Sequence, residues 1–219
     1  MSKKQDLHDR LSRAHSWIEA AGKLPLEQKH AAFVFLFIAF NALYGQRRYE
    51  GTEFDARKDR QEFLRRIRIM QDYDNRFGQG IVLKTLKACR KPGVALIRDT
   101  FLRDTYWSKK EAAKELQKVF DRLAATVEAK LERGHHEEFL KLVLQRLTVL
   151  RNQIMHGCAT YGPKSKGITS LEDGLALLKE LVLAFHTLMT KYGSRVDWPA
   201  IPYPRTGSER HVAVDQWAE

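Results

Sequence analysis

Cysteine is scarce: among 219 residues only Cys89 and Cys158 occur. Their spacing fits neither a metal-ligand pattern nor a disulfide framework, so a reduced, cytoplasmic setting is expected. The first residues, Met1-Ser2-Lys3-Lys4-Gln5-Asp6-Leu7-His8, are polar and lack the apolar stretch of a signal peptide. Long hydrophobic runs are also missing. The longest uncharged stretch covers 31–46 and includes Phe33 to Phe40. A membrane span needs about 20 apolar residues, and Asn41 and Tyr44 interrupt this one, so it reads as a core helix buried on most sides. No membrane partner is expected. Apolar–polar alternation is absent too, which argues against strands.

Several signals of catalysis fail. Gly78-Gln79-Gly80 follows no strand, and no G-K-[ST] occurs, so there is no phosphate loop. His135-His136-Glu137-Glu138 reads as a helix start with acids in its first turn rather than as a metal site, because adjacent helical histidines point apart. No cofactor and no metal are expected. No Ser–His or Cys–His arrangement stands in a recognisable context.

What the chain does have is positive charge and helical periodicity. The formal net charge of +11 suggests a polyanionic partner, nucleic acid or an anionic surface. The hydrophobic fraction of 43% suits one domain with a real core, with or without appendages. Leu7, Leu11, Ala14, Ile18 and Ala21 mark a first helix. Pro25 suits the start of a second, running to about residue 48. Phe63, Leu64, Ile67, Met70 and Tyr73 mark a third with a very basic face that includes Arg60, Arg65, Arg66 and Arg68. That face is either simply solvated or a contact for an RNA backbone. A short helix over 80–89 is ended by Pro92-Gly93, and further helices cover 109–132 and 135–156. Ser170, with Asp173 three residues on, looks like the N-cap of the last helix. There Leu171, Leu175, Leu178, Val182, Phe185, Met189 and Tyr192 form a seam for a neighbouring helix, in this chain or in a second copy. The fold class is all-α: a helical domain over 1–192 and an irregular tail over 193–219.

One helix carries candidate chemistry. On 135–156, Leu140, Val143, Leu144, Leu147, Leu150 and Ile154 make an apolar stripe, and Arg151 falls inside it. A guanidinium there needs an anion, a partner or a route to solvent. His156 lies five residues on, about 140° around an ideal helix from Arg151. Asn152 shares its side of the helix with His156. Gly157 is a natural terminator.

Arg151-Asn152-Gln153-Ile154-Met155-His156 resembles the RN-x-x-x-H form of the motif of the HEPN superfamily. The segment from Phe37 to Tyr44 is similar to the aromatic segment, ending in a polar residue, on an earlier core helix of that family. The likeness spans most of 5–192. It implies a HEPN-like helical bundle with extra helices, commonly a homodimer in which two motifs share one cleft. It also implies metal-independent RNA cleavage to a cyclic phosphate and a 5′-hydroxyl. His156 would then move protons, and Arg151 would hold the scissile phosphate. Asn152 would orient either group, and Asn41 would be a supporting polar residue. The setting implied is a toxin–antitoxin pair or antiviral defence, with an antitoxin or other partner protein. The alternative is a non-catalytic HEPN module that binds RNA or a protein. A third reading is a helical adaptor with a satisfied core arginine. Two positions depart from family patterns. Cys158 stands where toxins silenced by a nucleotidyltransferase carry tyrosine, and Asn41 stands where many active members place an acid.

Overall fold

A computed structural model describes residues 3–45, 56–102, 113–157, 168–199 and 201. Eight α-helices account for most of these, and no strand occurs among them. They are α1 (Lys3–Gly22), α2 (Lys29–Tyr44), α3 (Ala56–Arg76), α4 (Ile81–Ala88), α5 (Arg90–Arg98), α6 (Ala113–Glu132), α7 (Glu137–Met155) and α8 (Ile168–Tyr192). The chain is all-α, as its periodicity indicates. No helix among the described residues is long and apolar enough to cross a membrane.

The bundle is organised around α8, which packs against α1, α2, α3, α4, α5 and α7. Its seam residues Leu171, Leu178, Val182, Phe185 and Met189 are buried within this chain, and so are Leu177, Leu181 and Leu188. The buried arc is wider than a two-helix seam, which is the pattern of a helix sunk in a core. The seam is therefore intramolecular and leaves no such face for a second copy. α6 lies to one side, on α4, α5 and α7. Phe40 of α2, Phe63 of α3 and Phe185 of α8 form an aromatic knot with ring centres 5.4–6.0 Å apart. Tyr44 packs on Phe40 at 4.8 Å, so this knot fixes the C-terminal end of α2.

Several element boundaries differ from the sequence reading. Pro25 opens a turn, its carbonyl accepting from Gln28 N–H at 2.9 Å, and α2 begins only at Lys29. At its other end α2 stops at Tyr44, with Gly45 as a C-cap of extended ψ (138°), short of the expected residue 48. Pro92-Gly93 does not break a helix. The break falls earlier, at Cys89, which ends α4 and starts α5. Pro92 then sits in the first turn of α5, where its missing N–H would have no helical partner anyway. Ser170 is not a cap, because α8 starts at Ile168. Its hydroxyl donates instead to the carboxylate of Asp99, at the end of α5.

Gly93 lets α5 approach α7 closely. A Cβ there would stand 2.6 Å from the ring of Phe139, which is fully buried. Gly93→Ala is expected to destabilise the fold by about 1–3 kcal/mol through overpacking, more than the gain in helix propensity returns. Urea unfolding followed by circular dichroism checks this.

Beyond α8, the chain makes a short 3-10 turn at Gly193–Arg195 and lies against the bundle. Trp198 is buried, and its indole N–H donates to Gly193 O at 2.8 Å. Two guanidiniums flank its ring, Arg10 at 5.6 Å and Arg66 at 5.9 Å.

Candidate active site

The motif occupies the last turn of α7. The helix ends because Gly157 takes the left-handed conformation (φ 68°), which costs glycine little. His156 is the C-cap residue, with its backbone N–H on Asn152 O at 2.9 Å. Termination thus falls where the sequence places it. Cys158 lies outside the described residues.

Arg151 is half-buried. Its Nη1 donates to Asn152 Oδ1 at 3.0 Å, and its guanidinium lies 5.8 Å from the centre of the Phe37 ring. Among the described residues it makes no ion pair. The guanidinium on the apolar stripe is therefore held by an amide oxygen and an aromatic face. The side chain of Asn152 serves Arg151, its neighbour in sequence. His156 is exposed at the helix end. The structure thus brings Arg151 and Asn152 together, in the helix that His156 caps.

Asn41 comes from α2. Phe37, Asn41 and Tyr44 are spaced by four and three residues and share one face of that helix. Phe37 touches Arg151, so this face looks onto the motif. Asn41 Oδ1 is buried and has no hydrogen-bond partner among the described residues. An orphaned amide oxygen is costly unless a donor reaches it, so it marks a place where a donor is missing.

The structure adds residues that sequence reasoning did not single out. Arg60 of α3 donates from Nη1 to Thr148 Oγ1 at 2.6 Å, and that hydroxyl donates to Leu144 O at 2.8 Å. Thr148 lies one turn before Arg151 and Asn152 on α7. Burial pushes the Tyr44 phenol above its ordinary pKa, while the charges of Arg60 and Arg151 oppose the shift and Asp59 adds to it. Tyr44 is therefore a protonated donor at neutral pH, flanked by two cations. Asp59 is itself buried. A buried acid of α3 thus lies near Tyr44, whereas position 41 carries an amide. Only the basic composition of the third helix hinted at Arg60. Asp59 gave no sequence signal, because its meeting with Tyr44 depends on how α2 and α3 pack.

Two guanidiniums, a phenol O–H and two carboxamides thus gather where α2, α3 and α7 meet, with an imidazole at the adjoining helix end. Such a set can hold a phosphodiester and offer groups able to move a proton. Compared with known proteins, the chain matches no family model, no curated protein and no solved structure.

Proposed function

We propose that this protein is a metal-independent endoribonuclease of HEPN type, in which Arg151 binds the scissile phosphate and His156 is the general acid or base. The observation that carries the reading is the Arg151 guanidinium, paired with no carboxylate among the described residues and held one turn from Thr148–Arg60 in the helix that His156 caps. In the reaction, the 2′-hydroxyl attacks phosphorus and gives up its proton. The bond from phosphorus to the 5′-oxygen breaks, and that oxygen takes a proton. The products are a 2′,3′-cyclic phosphate and a 5′-hydroxyl. Guanidinium groups suit the charge that develops on the equatorial oxygens. Asn152 fixes the Arg151 fork, and Asn41 and Tyr44 supply further polar contacts. One imidazole performs one of the two proton transfers, so a homodimer that pairs two motifs supplies the second. The family resemblance further suggests a cytoplasmic toxin or defence effector, controlled by an antitoxin or other partner protein.

One observation favours a second reading. Arg151 already has partners in Asn152 and Phe37, so the same surface suits a non-catalytic HEPN module that binds RNA or a protein. End-labelled RNA incubated with the purified protein and EDTA separates the two. The enzyme gives cyclic-phosphate products that vanish in both Arg151→Ala and His156→Ala while the fold persists. Binding without cutting under all conditions supports the module instead.

A further inference from the structure

A second basic site, sharing no residue with the motif, lies between α3 and the chain that leaves α8. Arg65, Arg66, Ile69, Ser194, Arg195 and Asp197 line a cleft of about 340 Å³. That is near the lower end of ligand-site volumes, more than a lone phosphate fills and suited to one nucleotide unit. Arg66 anchors the cleft. Only 14% of its side chain is exposed, and its Nε donates to Asp197 O at 2.8 Å. Burial lowers its pKa, an effect that Glu62 partly offsets. Arg65 is 62% exposed and holds Glu62 through Nε at 3.2 Å. Arg195 is exposed and forms no ion pair among the described residues. It lies 4.8 Å from the centre of the Tyr73 ring, and Arg76 lies 5.5 Å from the same ring. Three guanidiniums thus face two carboxylates, with a fourth on the adjoining aromatic ring.

We propose that this cleft is a phosphate-binding subsite that takes the backbone of single-stranded RNA at a distance from the bond being cut. The inference rests on the ribonuclease reading for its choice of polymer. Guanidinium forks match phosphate geometry, and cations interleaved with aromatic rings suit the alternating charge and base of a single strand. The net charge of +11 favours a long polyanion over a single phosphorylated residue. A concave cleft suits a strand better than a flat anionic membrane.

The test is fluorescence anisotropy with a labelled single-stranded RNA over a range of salt, on the full chain. Arg65→Glu with Arg195→Glu changes two exposed side chains, with circular dichroism as the check on folding. Binding is expected to weaken at least about tenfold, and the slope of log affinity against log salt to fall by about 2. Arg65→Lys with Arg195→Lys keeps most of that slope. Cleavage of a dinucleotide, which offers a single phosphate, is unchanged in the Glu variant. Unchanged RNA affinity and slope in the Glu variant overturn the inference. So does a loss confined to phosphatidylserine vesicles or to free inorganic phosphate. If the double variant does not fold, Arg195→Glu alone gives half the change in slope, or none if the inference is wrong. If the wild type cuts RNA and the variants bind it equally well, only this subsite falls. If the variants lose binding while the wild type cuts nothing, the subsite stands and the cleavage reading falls.

Discussion

Arg10→Ala is expected to remove about 3–5 kcal/mol of folding free energy, a large share of the roughly 5–15 kcal/mol typical of a domain. Arg10 is fully buried on α1. Its Nη1 donates to Leu43 O at 3.4 Å and to Gly45 O, and its Nη2 donates to Pro199 O at 2.7 Å. One guanidinium therefore binds the C-terminal end of α2 to the segment that follows α8. Burial lowers its pKa to about 10, and Asp6 offsets part of the shift, so it remains a cation at neutral pH. Truncation to alanine leaves those carbonyls without their donor, strips the buried Asp6 of its counter-charge, and opens a void beside Trp198. Unsatisfied buried acceptors cost about 1–3 kcal/mol each, so the total is large even after partial relaxation. Arg10→Lys restores the charge but not a planar fork that spans two directions, and is expected to recover less than half of the loss. Urea midpoints for the two variants measure this. A loss below about 1 kcal/mol in Arg10→Ala would show that water or a rearranged chain end replaces the guanidinium.

The contrast between Arg10 and the rest of α1 shows what the sequence makes legible. Leu7, Leu11 and Ile18 announce themselves by period, whereas Arg10 looks like any solvated arginine between them. Its burial depends on the end of α2 and on Pro199, which lie 33 to 189 residues away. Helix existence was readable for the same reason that Arg10 was not: periodicity is local. Boundaries were less readable, because Pro92 and Ser170 each have two local meanings and a neighbouring helix decides between them. Ser170 can cap its own helix or bond across to Asp99, and packing of α5 on α8 selects the second. The seam on α8 was legible as a pattern but ambiguous in partner, since apolar spacing does not say which helix will cover it.

The candidate site divides along the same line. Arg151, Asn152, His156 and the stop at Gly157 lie within two helix turns, so spacing alone placed them. Asn41 entered through its aromatic neighbours. Arg60, Thr148 and Asp59 join only because α3 crosses near α2 and α7, and nothing in their own segments announces it. The wheel also placed Asn152 on the side of His156. Its short side chain instead turns back to the adjacent guanidinium, because a half-buried cation is the stronger claim on an amide oxygen.

That pairing sets up the second large effect. On the proposed ribonuclease reading, Arg151→Lys is expected to lower the rate of RNA cleavage by about 10²–10³-fold, mainly in kcat, while changing stability by less than about 1 kcal/mol. The lysine keeps a positive charge near Phe37, so ground-state attraction for the strand largely survives. It loses the second parallel N–H that a guanidinium presents to two phosphate oxygens, and with it the fixed direction that Asn152 imposes. Charge on those oxygens grows towards the transition state, so the deficit falls on the chemical step rather than on binding. Asn152→Ala provides the comparison. It leaves the guanidinium in place but releases its orientation, and a smaller loss is expected, of about tenfold, again in kcat. A purely structural role for Arg151 predicts the reverse pattern. Both variants would then lower the urea midpoint together, and cleavage per folded molecule would stay at the wild-type value. Single-turnover rates with saturating RNA, measured beside the unfolding curves, decide between these outcomes.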